Sequence, residues 1–164
     1  MAAGSTYTPI ATTTLGSATN SVNFTSISGT YTDLVLVGSF QTSANGTNPG
    51  VYFNSSTGSV SQTSLYGTGS AAGSFRLTGY GFIFFGGGGD VANVESNVII
   101  HIQNYSNSTT NKTSLIRYNQ TSEATYAIVG MRNNTAAITA VNLTTQAGNY
   151  KAGSTFTLYG ITAA

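Results

Sequence analysis

Apolar residues in this chain recur at every second position, with no sustained recurrence at every third or fourth. In SNVIIHIQNYS, which starts at Ser96, Val98, Ile100 and Ile102 fall on one side of an extended backbone, and Ile99, His101 and Gln103 fall on the other. In STFTLYGIT, from Ser154, Phe156 and Leu158 oppose Thr155, Thr157 and Tyr159. Successive side chains of a strand point to opposite faces, whereas a helix brings positions three and four apart together. A period of two therefore commits the chain to strands. The residue types agree. Thr, Tyr, Phe, Val and Ile fill the patterned segments, the good helix formers Glu, Lys, Arg and Met are scarce, and Gly, Asn and Ser clusters punctuate the chain at short intervals.

The pattern predicts strands near 10–15, 22–27, 33–42, 51–54, 61–66, 74–85, 97–105, 112–121, 125–132, 137–145 and 154–162. SNSTTN, from Ser106, reads as a hairpin loop. DLVLVGSF, from Asp33, is apolar on both faces, as expected of a central strand covered on both sides. DVANVES, from Asp90, reads as one helical turn capped by Asp90. Many short alternating strands with turn signals between them predict an all-β, single-domain antiparallel β-sandwich, jelly-roll-like, over 1–164, with an extended N-terminal segment over about 1–20.

Charge then narrows the function. Charged residues make up 5% of the 164, against about 25% in an average soluble domain, so solubility rests on Ser, Thr, Asn and Gln. Such a surface suits a protein packed against other protein, because little charge must be desolvated at a contact. The five basic residues, Arg76, Lys112, Arg117, Arg132 and Lys151, form no stripe, so nucleic acid is not an expected partner. No run approaches the roughly 18 apolar residues of a membrane-spanning helix, and no membrane partner is expected. The N-terminus lacks the basic and apolar regions of a secretory signal. The chain has no cysteine, which removes disulfides and thiol chemistry.

Candidate chemistry is sparse. GFIFFGGGGD, from Gly81, joins the strongest apolar run to four glycines and an acid. No Lys-Ser/Thr follows it and no helix clearly begins there, so it reads as a strand running into a turn rather than a phosphate loop. The acids are Asp33, Asp90, Glu95 and Glu123. Asp33, at a strand start, reads as a turn cap, and Asp90 with Glu95 could line one loop, but no spacing selects a catalytic pair. His101 is the single histidine and reads as a hydrogen-bonded core or interface residue, and one histidine does not make a metal site. No catalytic residue, cofactor or metal is expected, and the protein is not expected to be an enzyme. Ten tyrosines and no tryptophan suit protein contacts. Alternation through 74–85 puts Tyr80, Phe82 and Phe84 on one face, where a neighbouring chain is the expected cover, and Ile83 and Phe85 on the face that fills the core. Arg117, Tyr118 and Arg132 complete the expected interface set. Two readings stand for the arginines: stacked interface groups, or solvent-exposed strand residues.

Four stretches carry a resemblance: YTPIATTTLGSATNSVNFTSISGTYTDLVLVGSF, SLYGTGS, NVIIHIQNYSNSTTNKTSLIRYN and GSTFTLYGITAA. Across nearly its whole length the chain resembles a family of small structural proteins of tailed phages, of the type found in viruses of cyanobacteria and marine bacteria. The resemblance implies a β-sandwich virion protein with no catalytic residues, on the head or in a tail fibre. A chain one domain long, starting at Met1 and without a coiled-coil stalk, leans toward the head. The expectation is a capsid decoration or cement protein, made in the host cytoplasm and placed on the capsid exterior. It would be a homotrimer over junctions of major capsid protein subunits. The alternative is a tail-fibre or baseplate module that binds host surface glycans.

Overall fold

The computed structural model describes residues 6–54, 58–87 and 90–162, and these form twelve strands and no helix. The strands are β1 (Tyr7–Thr14), β2 (Ser21–Phe24), β3 (Asp33–Gln41), β4 (Pro49–Phe53), β5 (Val60–Gly67), β6 (Ala72–Tyr80), β7 (Ile83–Phe84), β8 (Glu95–Gln103), β9 (Lys112–Gln120), β10 (Ala124–Arg132), β11 (Val141–Thr145) and β12 (Thr155–Ile161). Residues 1–5 of the N-terminal segment, and Gly88 and Gly89 of the glycine run, lie outside the described residues.

The strands make two antiparallel sheets, an eight-stranded one in the order β1-β12-β3-β8-β9-β10-β5-β6 and a four-stranded one in the order β2-β11-β4-β7. The pairings β3·β12, β4·β11 and β5·β10 alternate between the two sheets, as do β3·β8, β4·β7 and β5·β6. That alternation is the winding of a jelly roll. The fold is the antiparallel sandwich that the period of two implies.

Alternate positions of the large sheet fill the core. Leu34, Leu36 and Phe40 of β3, Ile100 and Ile102 of β8, and Phe156 and Leu158 of β12 are all buried, facing Val51 and Phe53 of β4 and Leu143 of β11. The Phe40 ring stacks on Phe156 at 5.6 Å between centroids and takes the edge of Tyr150 at 5.2 Å. This burial of alternating apolar side chains is the main force holding the two layers together.

Four expectations need correction. The segment 74–85 is not one strand. It breaks after Tyr80, with Gly79 at φ +81°, and crosses to the small sheet as β7. A left-handed backbone favours glycine there, and alternation does not carry through such a break. Second, β3 is central, but its outer face is covered only in part: Val35 there is buried, whereas Val37 is 40% exposed. Third, Asp90 starts no helix. It bridges to Thr47, and a turn with Asn93 at φ 63° follows. Fourth, the strand expected over 137–145 begins only at Val141. Asn54 draws the preceding segment into a loop, accepting from the Thr139 and Ala140 N–H groups at 2.7 and 3.1 Å.

Two devices seat β7 over the large sheet. A Cβ on Gly130 would lie 2.5 Å from Ile83 Cδ1, so Ile83 rests on bare β10 backbone. The buried Gln62 side chain completes the free edge of β7: its Oε1 accepts from the Phe84 N–H at 2.8 Å and its Nε2 donates to the Phe84 carbonyl at 3.3 Å. An amide side chain thus stands in for a neighbouring strand at an edge that would otherwise leave backbone groups unpaired. Four strands cannot cover eight. Among the described residues, the surfaces left uncovered are most of the outer face of the large sheet, from Val37 of β3 across to Leu65 of β5, and the inner face at β6.

Candidate functional site

The outer face of the large sheet is apolar at its centre. Register places Val37, Ile99, Arg117, Ala127 and Leu65 in one row across β3, β8, β9, β10 and β5. The next row is Val35, His101, Leu115, Val129 and Thr63. Leu65 is 60% exposed, Val129 50% and Ile99 47%, and with Leu115 they line a shallow groove of about 630 Å³. Large contiguous apolar patches are uncommon on monomers and mark contact surfaces. Polar groups frame the patch. His101 Nε2 lies 2.8 Å from Asp33 Oδ2, and Asp33 Oδ1 accepts from the Asn104 N–H at 2.7 Å, which is the turn-capping role expected of Asp33. Glu95 accepts a hydrogen bond from Ser39 Oγ on the same face.

The six expected interface residues separate. Arg117 is exposed at the centre of the outer face, and Tyr80 is 44% exposed beside β7. Phe82 is half-buried, its ring 4.4 Å from that of Phe84. The remaining three are corrections. Phe84, Tyr118 and Arg132 are buried within their own chain and present no surface to a partner. The crossing to the small sheet turns Phe84 inward under Tyr80, at 5.2 Å. Tyr118 and Arg132 occupy inward positions of β9 and β10, whose alternation buries every second residue.

A second feature lies between the sheets beside β6. A cleft of about 590 Å³ is walled by Tyr66, Phe75, Tyr80, Phe84 and Tyr126, with Glu123 at its polar side. Gly73 makes room for one wall, since a Cβ there would meet the Tyr66 hydroxyl at 2.7 Å. Gly86 passes the Tyr118 ring and Gly87 the Tyr126 hydroxyl at distances that leave a Cβ 3.2 and 3.1 Å away. Those glycines are the described part of the sequence run, and they leave room for the two tyrosine side chains.

The acids near this cleft are not the pair suggested by sequence. Glu95 is on the outer face, and the charge that acts on Asp90 is Glu123. Asp90 is 1% exposed and accepts from the Tyr118 hydroxyl through Oδ1, while Oδ2 has no partner among the described residues. Glu123 Oε1 accepts from the Tyr126 hydroxyl at 2.7 Å, and its buried Oε2 has no partner among the described residues. Burial pushes the Asp90 carboxyl up to about 6, against the pull of Tyr118 and with help from the Glu123 charge. Burial, then the bond to Glu123, pushes Tyr126 up to about 12. Sequence offers little sign of the pair, because 90 and 123 meet only through the neighbouring Tyr118, Gln120 and Tyr126. Among the described residues no three His, Cys, Asp or Glu side chains group to hold a metal.

The fold and these two surfaces define a jelly-roll sandwich with one bare apolar face and one acidic aromatic cleft. No family model and no curated protein matches the chain. Among solved structures it is similar to the alginate lyase Aly36B, with a TM-score of 0.36 and 11% identity over 92% of this chain and 77% of that one. A mutant of that lyase in complex with alginate tetrasaccharide gives a TM-score of 0.35 and 12% identity over 93% and 80%.

Proposed function

We propose that the protein is a structural subunit of a phage virion that docks through the outer face of its eight-stranded sheet and cements the capsid. One observation carries the docking reading: Val37, Leu65, Ile99, Leu115 and Val129 stand exposed together on a face that the fold leaves without a second layer. The virion assignment is supported by the resemblance noted in sequence. Burying that face against major capsid subunits adds binding energy that exists only in the assembled shell, and so stabilises it by mass action. Arg117, at the centre of the patch, supplies a planar donor that can pair across the contact. Three copies around a junction of capsid subunits would each present the same face.

The test is to place the chain in purified particles. Hundreds of copies per particle, whose loss lowers shell stability, support the reading. A handful of copies at the tail tip would overturn it. The aromatic cleft favours one second reading, a tail module that recognises host glycans, and direct binding of the purified protein to host cells would favour that instead. Neither reading assigns the protein a catalytic step.

A further inference from the structure

The cleft beside β6 is chemically unfinished, and its character points to a ligand independent of the docking face. Asp90 Oδ2 and Glu123 Oε2 are buried and have no hydrogen-bond donor among the described residues. Neither acid has a basic partner, for the one ion pair among the described residues joins His101 to Asp33. Two of the chain's four acids are therefore gathered at one end without a counter-charge. Buried carboxylates are ordinarily paired, because an unpaired one leaves its desolvation uncompensated.

The chain completes such a pair elsewhere. At the far end of the β9–β10 hairpin Lys112 is opposite Arg132, both buried. Lys112 Nζ donates to the Thr110 and Thr135 carbonyls at 2.6 and 2.9 Å, and Arg132 donates to the Ala136 carbonyl at 3.4 Å. Backbone oxygens close the basic end. Nothing described closes the acidic end; Glu123 lines the open cleft, and Asp90 lies behind it, near enough for the two charges to act on each other.

The walls say what would close it. Tyr66 lies 5.8 Å from Tyr126 and 6.3 Å from Phe75 between ring centroids, and Tyr80 meets Phe84 edge-on at 5.2 Å. Aromatic faces attract cations, and a carboxylate beside such walls, here Glu123, adds a charge-assisted hydrogen bond. A calcium ion wants six or more oxygens, and rings offer it few. A neutral sugar could stack on the rings but would leave the carboxylates uncompensated. We propose that this cleft binds an organic cation, a guanidinium or ammonium group of side-chain size, held between the tyrosine rings and Glu123 with Asp90 as the deeper negative charge.

The test is an NMR titration of the intact protein, read on tyrosine ring and carboxyl signals. The probes are N-acetylarginine amide, tetramethylammonium, calcium chloride and a neutral disaccharide. Saturable binding of the arginine probe is expected, with a Kd on the order of millimolar, as befits one buried side chain. Glu123→Gln should weaken it about tenfold, and Tyr66→Leu, which keeps the charges, should weaken it several-fold. Saturation should also lower the pH at which Asp90 titrates, a readout that a merely structural acid would not give. A capped arginine peptide and free agmatine then separate the sources. Tighter binding of the peptide assigns the cation to a partner protein, tighter binding of agmatine to a free amine, and both support the site. No saturable shift with any cation overturns the proposal. So does equal or tighter binding of calcium or the disaccharide, or unchanged affinity in both variants.

Discussion

The two faces of the eight-stranded sheet carry similar residues and meet different fates. On β8, Val98, Ile100 and Ile102 point inward and are buried, whereas Ile99 points outward and is 47% exposed. On β3, Leu34 and Leu36 are sealed, whereas Val37 is 40% exposed. The inner residues are required by the fold, because the small sheet closes over them. Ile99 and Val37 are not, since nothing among the described residues covers them. An apolar row that folding does not use is best explained by a partner that does. The two ends of the β9–β10 hairpin repeat the lesson in charge. They lie about 27 Å apart at the rise of a strand. Backbone carbonyls satisfy the basic end, while the acidic end keeps two orphan oxygens.

The largest expected effect lies on the inner face. Phe156 is fully buried and packs on Phe40 and Tyr150, so Phe156→Ala should cost about 3–5 kcal/mol in urea unfolding. A loss below 1 kcal/mol would break the claim that this face is a packed core.

Next comes the acidic end. Asp90 titrates at about 6 in the folded protein, above the roughly 3.9 of an unfolded chain. The folded state therefore binds more protons between these values, and this group makes stability rise as pH falls through about 6 toward 4. At pH 7 Asp90→Asn should be more stable than the native protein by about 2–3 kcal/mol, with the gap closing near pH 4. Unfolding curves of both proteins across that window measure it. A constant gap would mean that Asp90 is not an uncompensated buried acid.

Gly130→Ala should cost about 1–3 kcal/mol, because the new methyl meets Ile83 and must displace β7. Its melting temperature reports whether β7 is held as tightly as its Gln62 clamp implies.

The smallest effect on stability, and the most informative, is on the outer face. Ile99→Ser or Leu65→Ser should change unfolding free energy by no more than about 0.5 kcal/mol. A cost like that of Phe156→Ala would mean that the two faces are not distinct.

Much of this was legible in the residues. Alternation gave the all-β class and the inward set on β8 and β12, and Asp33 read correctly as a turn cap. Alternation cannot tell which sheet a strand joins, so 74–85 looked continuous although the chain changes layers after Tyr80. It also cannot tell a covered apolar position from a bare one, which is why Val35 and Val37 of β3 looked alike although only Val35 is buried. Register decides what local pattern leaves open. Lys112 is paired with Arg132 through the ladder, and Asp90 is brought within reach of the Glu123 charge although the two are far apart in sequence. The low charge made any such meeting of like charges notable, but strand order was needed to find it.

The central claim is that the outer face docks. The most direct measurement is retention of a Leu65→Asp, Val129→Asp double variant on virions that carry this protein, beside its own melting temperature. The account predicts a variant that melts as the native protein does and no longer stays on the particle. A variant that folds normally and is retained as fully as the native protein would contradict it.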